Sequence, residues 1–396
     1  MNISEFTAIR SRVAPHRAGI MRALALLGVA LLAASASWAC SGSTKKDGTT
    51  AGTVAAATIE ATSQATAATA PLSYAAAGAT TFSIIAGRSE GAFDIERYMP
   101  ADVHVREGDT IEWTAQGIEG HTISFVEQKQ FSALVSQYLQ PDPADPAQNI
   151  FNPEIALKSR TGETYPGDDT YFNSGFIGVP AEQKYKLTFP KSGLYQYVCL
   201  VHPFTMRGTV SVDKPDAQVE APVSVASRGK AELSRYLDEE KRAVAQAVAE
   251  PHKLPGPSGT TLHRVNVGLT TPYGQAAVFV NPVLDIKSGD TVIFENDDRD
   301  FHNVIFKGGR KELPPGIGII VDPEGRGLNF SLDKQSSVAV DPPAGGFDDQ
   351  TFLSSGSLGI LQPRLTWRLK FDTPGTYSYA CTIHVLGGMA GVITVR

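Results

Sequence analysis

The sequence predicts an all-β protein: two antiparallel Greek-key β-sandwich domains joined by a linker with one helix. Three observations carry this. Short runs alternate apolar and polar residues between turns that contain Gly and Pro, as half-buried strands do. The pattern occurs twice at a nearly constant offset, the mark of a duplicated domain. Between the copies, residues 231–249 place Leu233, Tyr236, Leu237, Val244 and Val248 at helical spacing among mixed charges, and Pro251 and Pro255 end the run.

Taken in order, the chain opens with Arg10, Arg12, Arg17 and Arg22, followed by a short apolar core from Ala23 to Ala33. That is the pattern of a secretory signal peptide, here residues 1–39, and it is short for a membrane span. Ser37-Trp38-Ala39-Cys40 resembles a bacterial lipoprotein cleavage site, with Ser37 where Leu is usual. On that reading Cys40 is lipidated and tethers the chain to a membrane; plain cleavage is the alternative. Residues 40–78 are rich in Ala, Thr, Ser and Gly, so they bury too little surface to offset their ordering entropy. They read as a flexible tether.

The first domain is expected over 79–213. Val103 to Trp113 alternates around Gly108-Asp109, residues 126–170 are irregular with a helical piece near 131–139, and strands return at 184–189 and 194–199. The linker spans 214–259 and the second domain 260–396. Gly108-Asp109-Thr110 recurs as Gly289-Asp290-Thr291, His121 as His302, and Ser174-Gly175 as Ser355-Gly356, each 181 positions on (289 − 108, 302 − 121, 355 − 174). Gly193, Cys199 and His202 recur as Gly375, Cys381 and His384, at 182 (381 − 199).

The chemistry gathers in one stretch of each copy. Tyr195-Gln-Tyr-Val-Cys199-Leu-Val-His202 runs on to Met206, and Tyr377-Ser-Tyr-Ala-Cys381-Thr-Ile-His384 runs on to Met389. Each offers a thiolate, an imidazole and a thioether, soft to borderline ligands that suit copper better than calcium or magnesium. A further His lies in a turn after each Gly-Asp-Thr strand, His121 and His302. Two imidazoles and a thiolate with a weak axial thioether are the donors of a blue-copper site. Of the three cysteines, assigning Cys40 to a lipid leaves one per repeat; a Cys199–Cys381 disulfide is the competing reading.

With these motifs the chain resembles the cupredoxins, in particular bacterial copper proteins of the plastocyanin/azurin type, over both domains. The resemblance implies two type 1 copper ions. His121, Cys199, His202 and Met206 would hold one, and His302, Cys381, His384 and Met389 the other. The second loop has plastocyanin-like spacing, and the first is one residue shorter. Asn303 matches the family's Asn that ties the two ligand loops together, and Thr122 stands there in the first copy. The family also implies that His202 and His384 present imidazole edges near the surface, beside apolar patches at Pro203-Phe204 and Val385-Leu386, for redox protein partners.

The function expected is therefore an exported, periplasmic or cell-surface electron carrier rather than an enzyme. Two-domain copper enzymes, nitrite reductases and small laccases, resemble the architecture but need further histidines, usually as His-x-His pairs. None occurs here, and the remaining His16, His104, His252 and His263 read as leader, structural or exposed residues. A copper carrier or storage protein is a third reading, and zinc a competing metal. The formal charge of −6 and the lack of a basic stripe argue against nucleic acid. Asp168-Asp169, Asp348-Asp349, Asp297, Asp298 and Asp300 read as solvated turn residues, with calcium as the alternative.

Overall fold

The computed structural model describes residues 73–74 and 78–396, apart from 147, 160–162, 168–170, 180, 297–299, 301, 360–364 and 385–386. The signal peptide, Cys40 and nearly all of the tether lie outside the described residues. So do Asp168, Asp169, Asp297, Asp298, Val385 and Leu386. The described residues belong to the unit Ala70–Arg396.

The architecture is the expected pair of β-sandwiches, but the sheets are mixed rather than wholly antiparallel: each domain has two parallel strand pairs, which join strands that are not neighbours in sequence. In the first, Thr81–Glu90 pairs in parallel with Thr110–Gln116, which pairs antiparallel with Gln183–Thr188. The facing sheet runs Asp102–Arg106, Arg207–Asp213, Gly193–Val198, Ser124–Phe125 and Phe172–Asn173. Between them lies a core built on Phe82, Ile84, Trp113, Leu187 and Tyr197. The second repeats this with Thr261–Thr270, Thr291–Glu295 and Thr366–Lys370 against a sheet that includes Gly375–Ala380 and Ala390–Val395. Alternation along Thr110–Gln116 and Thr366–Lys370 puts every second side chain into the core, the period a two-layer sandwich requires.

The repeated Gly-Asp-Thr has a structural cause. Gly108 and Gly289 sit at φ +89° and +93°, a left-handed turn that Gly enters at little steric cost. The next carboxylate closes the turn and ties it to the domain's first strand. Asp109 accepts from the N–H of Arg106 and Thr80, both at 2.8 Å, and Asp290 accepts from Lys287 at 3.1 Å and Thr261 at 2.8 Å.

The two sandwiches are joined more intimately than a linker implies. Phe93–Met99 pairs antiparallel with Gly274–Val280, so one sheet runs continuously through both domains. Asp94 lies directly opposite Gln275, its own counterpart in the repeat (275 − 94 = 181), so the joint is locally two-fold symmetric. A second shared sheet forms where the irregular segments meet. Gln148–Phe151 of the first copy pairs with Leu328–Asp333 of the second. The first irregular segment also holds the helical piece, at Gln128–Ser136 rather than 131–139, followed by a short strand Leu139–Pro141.

The linker helix spans Pro222–Ala249, and begins well before residue 231. Pro222 fits the first turn, where its missing N–H costs nothing. Gly229 permits a close approach to the Met99 carbonyl. The helix lies over the joint, touching strands of both domains, with Leu237 packed on Ile95 and Met99 and Tyr236 stacked on Tyr273 at 3.8 Å.

Candidate metal centres

Each His at the start of a donor set is fixed by its backbone. His121 exchanges both hydrogen bonds with Ile177, at 3.0 and 2.9 Å, and His302 does so with Leu358, at 2.9 and 2.7 Å. The repeated Ser-Gly supports the same turn. Ser174 Oγ accepts the N–H of Ile123 and Ser355 Oγ that of Val304, each at 2.8 Å. Gly175 and Gly356, at φ +68° and +66°, let the chain pass close to Lys158 and Ala339.

The Cys-to-Met loops close alike despite their different lengths. The N–H of Cys199 donates to the Met206 carbonyl and that of Cys381 to the Met389 carbonyl, both at 3.0 Å. Within the loops, Met206 N–H meets the His202 carbonyl at 3.0 Å and Met389 N–H the His384 carbonyl at 3.5 Å. The extra residue is absorbed in that turn. Met206 and Met389 are equally buried and each packs in its domain's core.

The structure brings the three strongest donors of each set together. In the first, Cys199 Sγ lies 3.7 Å from His202 Nδ1, and the His121 and His202 rings are 5.0 Å apart. In the second, Cys381 Sγ is 4.0 Å from His302 Nδ1 and 3.7 Å from His384 Nδ1, and the two Nδ1 atoms are 2.9 Å apart. All donor atoms of each triad lie within 4.8 Å of one another. Both cysteines are free, which removes the disulfide reading. Neither buried nitrogen of His121 has a hydrogen-bond partner; Nε2 lies 3.8 Å from the buried Asp94 Oδ2, and a metal ion in the donor set would take up the other nitrogen. The donors therefore fit copper: two imidazoles and a thiolate converging, with a buried thioether in the same loop.

Asn303 does what its position implied. Its Oδ1 accepts the N–H of Thr382 at 2.8 Å, and its amide donates to Thr382 Oγ1 and the Ser336 carbonyl, both at 2.9 Å. The first copy does not lack this tie. Thr122 Oγ1 accepts the N–H of Leu200 at 2.8 Å, the same group one residue past the Cys, and the Thr122 N–H donates to Cys199 Sγ at 3.3 Å. A hydroxyl replaces the amide and makes fewer bonds.

The outward edges of His202 and His384 do not reach solvent as the family implies. Their side chains are 8% and 4% exposed. Glu119 lies between them, its Oε2 3.0 Å from His202 Nε2 and its Oε1 3.1 Å from His384 Nε2. Asp300 Oδ2 is 3.4 Å from His384 Nε2, and the Gln275 amide donates to it at 2.8 Å and to Glu119. Asp300 is thus a partly buried residue held at the joint, not a solvated turn acid. Asp348 is an exposed turn acid, capping the N–H of Gln350 at 3.1 Å. Phe204 is 65% exposed beside His202, but its neighbour Pro203 is buried, so the expected apolar patch there is reduced to one ring.

Electrostatics follow from this packing. Burial and the neighbouring His202 hold His121 well below the usual imidazole range, in the neutral form that binds metal. Burial pushes the Cys381 thiol up, but His302 and His384 more than reverse this and bring it to about 5, so the thiolate is available. Burial alone would lower His384; its contacts with Asp300, Cys381 and Glu119 instead raise it well above the ordinary value.

The sequence reading missed Glu119, Gln275, Asp94 and Gly87. The signal was there: Glu119 and Asp300, Asp94 and Gln275, and Gly87 and Gly268 all stand 181 positions apart. Gly87 and Gly268 sit at φ +77° and +79° in matching strand irregularities, and a Cβ on Gly87 would overlap the His121 ring. The other described histidines join neither donor set. His104 is exposed beside Asp213 at 3.4 Å, and His263 is buried against Asp290 at 3.1 Å.

A family model for copper binding proteins of the plastocyanin/azurin family matches residues 89–213 and again 265–396. These two matches cover more than half the chain, which therefore belongs to that family. The chain is 26% identical over 119 residues to chloroplastic plastocyanin of Pisum sativum, covering 30% of this chain and 51% of that protein. It thus spans about half the length of that relative. It is 26% identical over 119 residues to plastocyanin of Vicia faba (30% and 87% covered) and 28% over 121 residues to plastocyanin of Scenedesmus fuscus (31% and 89%). Solved structures that match include the oxidised plastocyanin of Dryopteris crassirhizoma, 23% identical over 34% of this chain and 99% of that one, at a TM-score of 0.19. A reduced Cu(I) amicyanin variant matches at 22% identity, 34% and 80% coverage and a TM-score of 0.19.

Proposed function

We propose that this protein is an exported, membrane-tethered electron carrier with two type 1 copper sites, one per domain. The observation that carries the reading is the repeated convergence of donors, His121, Cys199, His202 with Met206 and His302, Cys381, His384 with Met389. A bound copper ion would supply a one-electron step between Cu(II) and Cu(I). The chain's part is to hold the donors still while that charge changes. Cys199 and Cys381 would supply the thiolates, and His121, His202, His302 and His384 the nitrogen donors. The backbone bonds of His121 to Ile177 and of His302 to Leu358 keep the upper ligands from moving. Burial of every donor except the partly exposed His202 would limit the water that has to reorganise with each electron.

Tethering through a lipid on Cys40, a periplasmic or cell-surface location and redox protein partners complete the proposal. Its support is the leader sequence, and among the described residues no helix is long and apolar enough to cross a membrane. Exposed Phe204 beside His202 offers an apolar contact for such a partner. Copper analysis and electrochemistry test the reading: two coppers per chain with reversible one-electron couples are expected. Copper held without a reversible couple would point to storage, and a type 2 signal to an enzyme.

A further inference from the structure

The pseudo-two-fold joint turns the two donor sets toward each other. Asp94 faces Gln275 across the strand pair, and the carboxylates two residues ahead of His121 and His302, Glu119 and Asp300, meet over it. Gln275 donates to both of them. The imidazole edges that would otherwise lead to separate partners therefore both reach Glu119, and that of His384 also reaches Asp300 at 3.4 Å. Glu119 contacts His202 Nε2 at 3.0 Å and His384 Nε2 at 3.1 Å, and its side chain is 11% exposed.

The donor and acceptor roles fit metal-loaded sites. A neutral imidazole that gives its Nδ1 lone pair to a metal carries its remaining proton on Nε2. Both Nε2 atoms are then donors, and a carboxylate with one oxygen toward each is the acceptor that satisfies both. Charge-assisted bonds of this kind are short and hold direction. The chain from Cys199 and His202 through Glu119 to His384 and Cys381 is continuous, and its side chains are largely buried.

We infer that Glu119 is a bridge that makes the two sites one intramolecular electron-transfer pair, joined through His202 and His384. This rests on the two-copper reading. In the step, one site loses one electron and the other gains it. No covalent bond forms or breaks, no proton leaves, and no outside reactant is consumed. An electron can then enter at one site and depart from the other, so the two copies have different tasks despite like ligands.

The test uses the full chain loaded with copper, in wild type, Glu119→Gln and Glu119→Leu. Copper content and visible absorption come first. A wild-type protein without two blue coppers would strike the two-copper reading itself, not this inference alone. Flash reduction with less than one electron per chain then follows redistribution between the sites. The expected result is a phase whose rate does not depend on protein concentration, slowed roughly tenfold or more in Glu119→Leu and less in Glu119→Gln, which keeps one acceptor. Proton exchange at His202 Nε2, read by nitrogen-resolved NMR of the Cu(I) protein, should be protected in wild type and fast in Glu119→Leu, whereas His384 Nε2 keeps Asp300 and should change less. Two intact blue sites with an unchanged redistribution rate in Glu119→Leu would overturn the inference. So would a wild-type protein that redistributes electrons only by collision between molecules. Should Glu119→Leu fail to fold, Glu119→Gln decides: a slowed redistribution phase with both blue sites intact supports the bridge, and an unchanged one overturns it.

Discussion

Asp94 and Gln275 are equivalent residues of the two repeats, and they lie face to face where the strands of the two domains pair. Both are fully or nearly fully buried, at 0% and 1% exposure. Gly274, next to Gln275, runs so close to the Asp94 carbonyl that a Cβ there would overlap it. Gly274→Val should therefore break the shared sheet without touching either core. Small-angle scattering should give a larger radius of gyration, and the thermal melt should split into two transitions. A single melt at the wild-type radius would contradict this joint.

The ties between ligand loops make a graded prediction. Asn303→Ala leaves the buried Thr382 N–H and Thr382 Oγ1 without that partner, and should cost about 1–3 kcal/mol of stability. Thr122→Val removes the acceptor for the Leu200 N–H and should cost less, on the order of 1 kcal/mol, because fewer bonds are lost. Metal affinity should fall by roughly 10–100-fold in the altered site only. Denaturant unfolding of the apo protein and competitive copper titration measure the two effects separately.

Gly87 packs directly against the His121 ring of the first donor set. At φ +77° an added side chain is strained, and its Cβ would overlap His121. Gly87→Ala should displace the His121 ring and lower stability by about 1–3 kcal/mol. Metal analysis should find the second site still loaded and the first largely lost. Equal loading of both sites would show that the His121 position is not held by this strand.

The linker helix carries a pH-sensitive acid. Burial, and then the nearby charges of Asp94 and Glu96 against that of Arg97, push Glu240 up to about 8, although Thr271 Oγ1 donates to it at 2.6 Å. A carboxyl raised in the folded state contributes stability that is present below its unfolded value near 4.5. That contribution is lost as pH rises through about 8. The melting temperature of the apo protein should fall between pH 5 and pH 9. Glu240→Gln should flatten part of that fall, by a few degrees at the alkaline end. Asp94, also raised to about 8 by burial and by Glu119, leaves a remaining slope. Parallel curves for variant and wild type would contradict the burial argument.

The donor residues were legible because their chemistry is rare and their spacing repeats. Cys199, His202 and Met206 announce themselves, and the constant offset picks out His121 from the other histidines. The sandwiches were legible because strand alternation is a local signal. The relation between the domains was not, since strand pairing between Phe93–Met99 and Gly274–Val280 depends on contacts remote in sequence. For the same reason Asp300 read as a solvated acid: an acidic side chain in a loop is usually exposed, and only the joint buries it. Thr122 was passed over as the absence of an Asn, although its hydroxyl can accept the same N–H.

The central claim is that each domain holds one copper on a buried His, Cys, His and Met set. The most direct measurement is metal content with visible and electron paramagnetic resonance spectra of the oxidised full-length protein, repeated for Cys199→Ser, Cys381→Ser and the double variant. Two coppers per chain are expected, with type 1 spectra, each single variant losing one site's intense visible band and the double variant losing all of it. Unchanged colour in the double variant, or zinc in place of copper in the wild type, would contradict the assignment.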